Sequence, residues 1–128
     1  MPARSVDYLL IGGGLASGNC ARWLREGGAD GSILLVGREP DPPYNRPELS
    51  KKYMTGQEER PDVLFRPDEW WDEQNIDLMT RTSVTALDAN ERVAKLQSGD
   101  EVRFGQALLA TGSNVRRIRV DGCQLEGI

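Results

Sequence analysis

The chain has 128 residues, a hydrophobic content of 38%, a charged content of 28% and a formal net charge of −4 at pH 7. This size fits one globular domain, and the acidic balance argues against a nucleic-acid binder, which needs a basic surface. Histidine is absent and the two cysteines are far apart, so the composition excludes a Ser-His-Asp triad and disfavours a zinc site or a redox-active disulfide.

The first predicted elements are a short apolar strand (residues 8–11), a glycine turn and a helix (Leu15–Glu26). Gly12 permits a tight turn, and Gly14, which lacks a Cβ, lets the backbone approach a phosphate closely. The free N–H groups at the start of the helix favour an anion. Ser17 stands at the third position of the Gly-x-Gly-x-x-Gly fingerprint, a mild departure from Gly or Ala. Taken alone, the fingerprint is also compatible with an ordinary glycine turn.

A second apolar strand and an acidic residue strengthen the dinucleotide interpretation. Residues 32–37 are apolar throughout, which is typical of a parallel strand buried on both faces. Glu39 follows, near the position about twenty residues past the glycines where an acidic side chain meets a ribose hydroxyl. The sequence therefore predicts a Rossmann βαβ unit. The apolar face of its helix is expected to consist of Ala16, Cys20, Trp23 and Leu24.

A proline-rich connection, residues 39–52, comes next, and its prolines exclude a central strand. Pro47 could begin a short helix through residues 49–54, and residues 57–62 are expected to form a surface loop. A helix over residues 67–75 follows. We interpret its two tryptophans as packing residues rather than as a stacking platform for a ligand.

The second half of the chain is predicted to be mostly strands. Residues 76–79 form a third short strand, and alternating polar and apolar residues then indicate a three-stranded antiparallel meander over residues 83–87, 92–97 and 101–104. A separate apolar strand, residues 106–110, returns to the parallel sheet and ends in Thr111-Gly112. We therefore predict an α/β fold, a Rossmann-like βαβ sheet with an inserted three-stranded antiparallel β-meander.

Three stretches together resemble the FAD-binding part of the pyridine-nucleotide-dependent flavoprotein reductases. They are residues 12–17, the Pro-Tyr-Asn-Arg-Pro-Glu-Leu-Ser-Lys run at residues 43–51, and Leu-Leu-Ala-Thr-Gly at residues 108–112. The middle stretch is the specific one. The likeness is to ferredoxin reductases of the putidaredoxin and rubredoxin reductase type and to apoptosis-inducing-factor-like proteins.

The resemblance implies an enzyme that passes electrons from NAD(P)H through FAD to an iron–sulfur carrier such as ferredoxin. It also implies a second glycine fingerprint for NAD(P)H, which this sequence does not contain. We therefore expect residues 1–128 to be the N-terminal segment of an FAD-binding domain, without the NAD(P)H-binding and C-terminal domains of the family.

Site residues are carried over from the same resemblance. Lys51 would point toward the flavin and tune it, Arg46 would place a cation near the phosphates, and Glu39 would accept hydrogen bonds from the adenosine ribose. The full set implied to bind the cofactor is Gly12, Gly14, Leu15, Ala16, Ser17, Arg38, Glu39, Arg46, Lys51, Val84, Ala110, Thr111 and Gly112.

Two other interpretations stay open. The chain could be a non-catalytic remnant that binds FAD or another nucleotide, or an interaction module, or it could be a different Rossmann enzyme that binds NAD(P) at the same turn. Arg116, Arg117 and Arg119 could face an acidic carrier protein or only solvent. No apolar run approaches the roughly 20 residues of a membrane span, and no secretory signal is recognisable. We therefore expect a cytoplasmic protein without membrane contacts.

Overall fold

The computed structural model describes residues 4–127, so both ends of the predicted domain, residues 1–3 and residue 128, lie outside the described residues. One six-stranded sheet organises the chain, with strand order β3-β2-β1-β6-β5-β4. The strands are β1 (Arg4–Ile11), β2 (Ile33–Val36), β3 (Ile76–Met79), β4 (Val84–Asp88), β5 (Val93–Leu96) and β6 (Glu101–Leu109). The helices are α1 (Leu15–Glu26), α2 (Arg60–Val63) and α3 (Asp68–Glu73), with a 3₁₀ turn at Arg46–Ser50.

The parallel half of the sheet confirms the predicted βαβ unit. β1 lies between β2 and β6 and pairs in parallel with both, so that Leu9 is opposite Leu34 on one side and Ala107 on the other. β3 continues the parallel order beyond β2. Because parallel neighbours end at the same edge, the turns that follow β1, β2 and β6 lie together.

The predicted separation of the meander from the parallel sheet is wrong, because residues 101–109 form one continuous strand. β4, β5 and β6 do pair in antiparallel order, and β5 is in register with residues 101–103 at the start of β6. Gly105 resembles a strand break in the sequence, but it allows a close approach. A Cβ there would lie 2.8 Å from the carbonyl oxygen of Asp7 on β1.

The face that α1 buries agrees with the prediction only in part. Cys20 and Leu24 pack against the core, but Ala16 is exposed and Trp23 is 62% exposed. The fully buried residues of the helix are Ser17, Gly18 and Ala21. A Cβ on Gly18 would lie 3.1 Å from the ring of Phe65, so this contact accepts only the smallest side chains. The close approach of the neighbouring loop therefore adds Gly18 to the buried face.

The core is divided by the sheet into two clusters. Leu9 and Leu34 belong to one, together with residues of β5 and β6, and Leu10 and Leu35 belong to the other, under α1 and α3. Trp71 of α3 is 1% exposed and packs in the second cluster. This confirms that it is a packing residue.

The connecting segments hold short elements that the sequence indicated only in part. The expected surface loop at residues 57–62 contains the start of α2, which opens with a reciprocal capping box between Glu59 and Asp62. The helix expected at residues 49–54 is instead the 3₁₀ turn followed by irregular turns. Among residues 4–127, no helix is both long and apolar enough to cross a membrane.

Candidate functional site

A cleft of about 750 Å³ lies where β1, β2 and β6 end. Its position is the one at which open α/β sheets bind ligands, beyond the carboxyl ends of the strands. All the cofactor residues expected from the sequence line this cleft except Ser17 and Lys51. They are Gly12, Gly14, Leu15, Ala16, Arg38, Glu39, Arg46, Val84, Ala110, Thr111 and Gly112.

The glycine turn joins the ends of three strands. Gly12 has a φ of +125°, and a Cβ there would lie 2.6 Å from the carbonyl carbon of Ala110 and closer still to its oxygen. Its N–H donates to Val36 at 2.8 Å, and the N–H of Ala110 donates to Ile11 at 2.8 Å. Gly12 is therefore required by the backbone itself, because no side chain fits between β1 and the end of β6.

Gly14 has a different environment. A Cβ at this residue would have no atom within 4 Å, so the space above it is open toward the cleft. Gly14 is also the N-cap of α1, and no side chain caps the helix. The first intrahelical bond runs from Gly18 to Gly14 at 3.1 Å. The N–H groups of Leu15 and Ala16, which line the cleft, therefore have no partner within the helix and suit an anion.

Three side chains form a hydrogen-bonded cluster on the β2 side of the cleft. The Tyr44 hydroxyl donates to Glu39 Oε2 at 2.6 Å, and Arg46 donates through Nη2 to Glu39 Oε1 and through Nη1 to the Tyr44 oxygen at 2.9 Å. The Arg46 guanidinium also lies 4.9 Å from the centre of the Tyr44 ring, which adds a cation–π contact.

This cluster keeps Glu39 ionised. Burial would raise the pKa of Glu39, but the hydrogen bonds from Tyr44 and Arg46 and the charges of Arg46 and Arg38 outweigh it and hold that pKa below its ordinary value. Burial and the hydrogen bond to Glu39 raise the pKa of Tyr44. Glu39 therefore remains an acceptor and Tyr44 a donor at neutral pH.

The remaining walls combine Arg38, which the sequence predicts, with residues that the sequence did not single out. Arg38 reaches across the cleft and donates to Asn114 Oδ1 at 2.7 Å. Thr82 lies at the end of β2, where its N–H donates to Gly37 at 3.0 Å. The lining residues missed by the sequence prediction are Ile11, Gly13, Val36, Thr82, Ser83, Ser113 and Val115. Ile11 and Val36 are the last residues of β1 and β2, and the end of a predicted parallel strand was the available signal for these two.

Ser17 and Lys51 lie outside the lining. Ser17 is fully buried and its hydroxyl has no hydrogen-bond partner. Lys51 is exposed, with its Nζ 3.4 Å from the carbonyl oxygen of Pro47. In the part of the chain from residue 4 to residue 127, no group of three or more metal-ligating side chains is gathered.

Comparison with known proteins gives consistent matches. A family model described as pyridine nucleotide-disulphide oxidoreductase matches residues 6–128. The ferredoxin reductase component of a chlorobenzene dioxygenase from Cupriavidus sp. (strain PS12) is 40% identical over 97% of this chain and 30% of that protein. A rubredoxin-NAD(+) reductase from Pseudomonas putida is 32% identical over 96% of this chain and 32% of that protein.

Comparison with solved structures agrees with these sequence matches. The crystal structure of a covalent putidaredoxin reductase–putidaredoxin complex matches with a TM-score of 0.86 and 30% identity, over 95% of this chain and 29% of that one. The chain thus spans about a third of the length of the curated relatives it matches.

Proposed function

This chain belongs to the pyridine nucleotide-disulphide oxidoreductase family, and from that premise we propose that its cleft binds FAD. The proposal extends to the whole protein, an NAD(P)H-dependent oxidoreductase that passes electrons through FAD to an iron–sulfur carrier such as ferredoxin. The observation that carries it is the open space above Gly14 at the uncapped start of α1, with the ionised Glu39 in the same cleft.

The residues in the cleft fit a dinucleotide. The open backbone at Gly14 and the free N–H groups of Leu15 and Ala16 suit a pyrophosphate, which carries negative charge and many acceptor oxygens. Glu39 suits the adenosine ribose, whose hydroxyls are donors. Val84 offers an apolar contact for the adenine, and Thr111 with Gly112 closes the far side of the cleft.

When bound, FAD supplies the two-electron and one-electron redox chemistry of the reaction. The chain's own residues bind and orient it. Backbone N–H groups and the positive end of α1 counter the phosphate charge, while Arg38 and Arg46 add two guanidinium groups in the same cleft. Lys51 does not line the cleft. We propose that it approaches the flavin from outside this lining and tunes the redox properties of the flavin.

The domain arrangement is also part of the proposal. Residues 1–128 would be the N-terminal segment of the FAD-binding domain, and the NAD(P)H site would belong to a separate part of a longer protein. Support comes from the share of the relatives' length that the chain covers. The acceptor is proposed to be ferredoxin-like because two relatives are named as ferredoxin and rubredoxin reductases. A cytoplasmic location belongs to the same proposal.

FAD binding by the purified chain tests the core of the proposal. We expect a retained flavin spectrum after desalting and a higher melting temperature with added FAD, since a ligand at a hundred times its Kd stabilises a fold by about 2.7 kcal/mol. Gly14→Val should abolish both effects, because its side chain fills the open space. Ala89→Val, in the exposed β4–β5 turn, is the control and should leave them intact. Stabilisation by NAD but not by FAD would refute the proposal.

A further inference from the structure

Tyr44 connects two of the charged residues that line the cleft, Glu39 and Arg46. Its hydroxyl donates to Glu39 and accepts from Arg46 in the same arrangement, and its ring lies under the Arg46 guanidinium. A single side chain therefore contacts both the carboxylate and the cation.

The backbone around Tyr44 is fixed independently of the cleft. Tyr44 forms an antiparallel bridge with Leu64, and the N–H of Asn45 donates to the carbonyl of Val63 at 2.8 Å. The ring also forms part of a separate small cavity of about 240 Å³ that is lined by Leu49 and Val63 among others. These backbone contacts fix the position of Tyr44, and its hydroxyl donates to Glu39.

The geometry changes how Arg46 meets Glu39. An arginine and a carboxylate normally prefer a bidentate pair, which engages both oxygens. Here Arg46 gives one nitrogen to Glu39 Oε1 and the other to Tyr44, and Tyr44 takes Glu39 Oε2. Each carboxylate oxygen then has one of these partners, and its second lone pair can accept another donor.

We propose that Tyr44 is a positioning residue for the FAD site: its hydroxyl shares Arg46 with Glu39 and holds the Glu39 carboxylate in the orientation that accepts hydrogen bonds from the adenosine ribose. This inference rests on the proposed function. It predicts that the Tyr44 hydroxyl, which need not touch FAD, affects both the affinity for FAD and the dependence of that affinity on pH.

The pH dependence follows from the groups around Glu39. Tyr44 and Arg46 of the loop and Arg38 at the end of β2 face the carboxylate, and Asp41 acts on Tyr44. FAD binding should weaken as pH falls through the pKa of Glu39, because the protonated form accepts fewer hydrogen bonds. Tyr44→Phe removes a hydrogen bond that lowers the pKa of Glu39, so the weakening should begin at higher pH.

The experiment measures the Kd for FAD by fluorescence titration from about pH 3 to pH 7, a range that extends below the ordinary glutamate pKa of about 4.3 because the pKa of Glu39 is lowered. Tyr44→Phe should raise the Kd about three- to ten-fold at neutral pH, the equivalent of one hydrogen bond. It should also move the acid limb, the part of the pH profile where binding weakens as pH falls, to higher pH. Glu39→Gln should remove the acid limb, and adding Tyr44→Phe to it should have a much smaller effect. Tyr53→Phe is the matched control, since Tyr53 lines the same small cavity and should change neither quantity.

The outcomes separate the inference from the proposed function. If the unmodified chain does not bind FAD, the proposed function fails and the role of Tyr44 fails with it. If the chain binds FAD and Tyr44→Phe changes neither the Kd nor the acid limb, the inference alone is refuted. A weaker Kd with an unmoved acid limb also refutes it, because that result indicates only a structural role. Should Tyr44→Phe not fold, the acid limb of the unmodified chain must lie below the ordinary glutamate pKa of about 4.3 for the inference to stand, because the hydrogen bonds from Tyr44 and Arg46 lower the pKa of Glu39.

Discussion

Gly12 and Gly14 lie two residues apart in one turn, but their environments predict opposite consequences for substitution by alanine. At Gly12 an alanine would have a φ of +125° and a Cβ 2.6 Å from the carbonyl carbon of Ala110. A strained backbone conformation costs of order 1–3 kcal/mol. Relief of the clash would disturb the bonds from Gly12 to Val36 and from Ala110 to Ile11, at about 0.5–1.5 kcal/mol each.

The expected loss of unfolding free energy for Gly12→Ala is therefore about 2–6 kcal/mol, a large share of the roughly 5–15 kcal/mol typical of a domain. Gly14→Ala is the matched control, since its Cβ would have no atom within 4 Å and an alanine N-cap costs about 1 kcal/mol or less. Urea unfolding measures the unfolding free energy of both variants. Gly14→Ala should nevertheless lose the stabilisation by FAD. Equal unfolding free energies for the two variants would refute the assignment of one glycine to the backbone and the other to the ligand.

Two further predictions concern stability alone. Ser17→Ala should raise the unfolding free energy by about 1–2 kcal/mol, because it removes a fully buried hydroxyl that has no partner; an unchanged or lower urea midpoint would contradict this. Asp7 accepts from the N–H and the hydroxyl of Ser32 at 2.7 and 2.8 Å, and these hydrogen bonds lower the pKa of Asp7. The Asp7 carboxylate therefore stabilises the fold above the pKa that Asp7 has in the unfolded chain. This stabilisation is lost as pH falls through the lower pKa that Asp7 has in the folded chain. Asp7→Asn should therefore flatten the decline of the melting temperature on acidification.

The parts of the fold predicted correctly from sequence depend on local signals. The strand of residues 8–11, the glycine turn and α1 follow one another along the chain, so composition and spacing were enough to place them. The continuity of β6 was missed because Gly105 is explained only by the backbone of Asp7, a distant neighbour. Trp23 was assigned to the buried face because periodicity does not report how close a neighbouring loop approaches the helix.

The candidate site also contains residues that the sequence predicts and residues that it does not. Glu39 and Gly14 were named because each has a fixed place in a fingerprint, and both line the cleft. The link between Glu39, Tyr44 and Arg46 was not predicted, because the spacing of these residues along a proline-rich loop has no regular period. Thr82 and Ser83 reach the cleft only through the order of strands in the sheet, which the sequence did not provide in full.

The pairing of β1 with β6 also has a consequence during synthesis of the protein. Arg4 on β1 is opposite Val102 on β6, so almost the whole described chain must leave the ribosome before this pair can close. At about 5–20 residues per second, β1 waits roughly 5–20 s for its partner. The turn at Gly12 packs against Ala110 only after that step. Within the described residues the cleft is therefore among the last features to form, and a ligand that contacts both the Gly12 turn and the Thr111-Gly112 turn can bind only after β1 and β6 have paired.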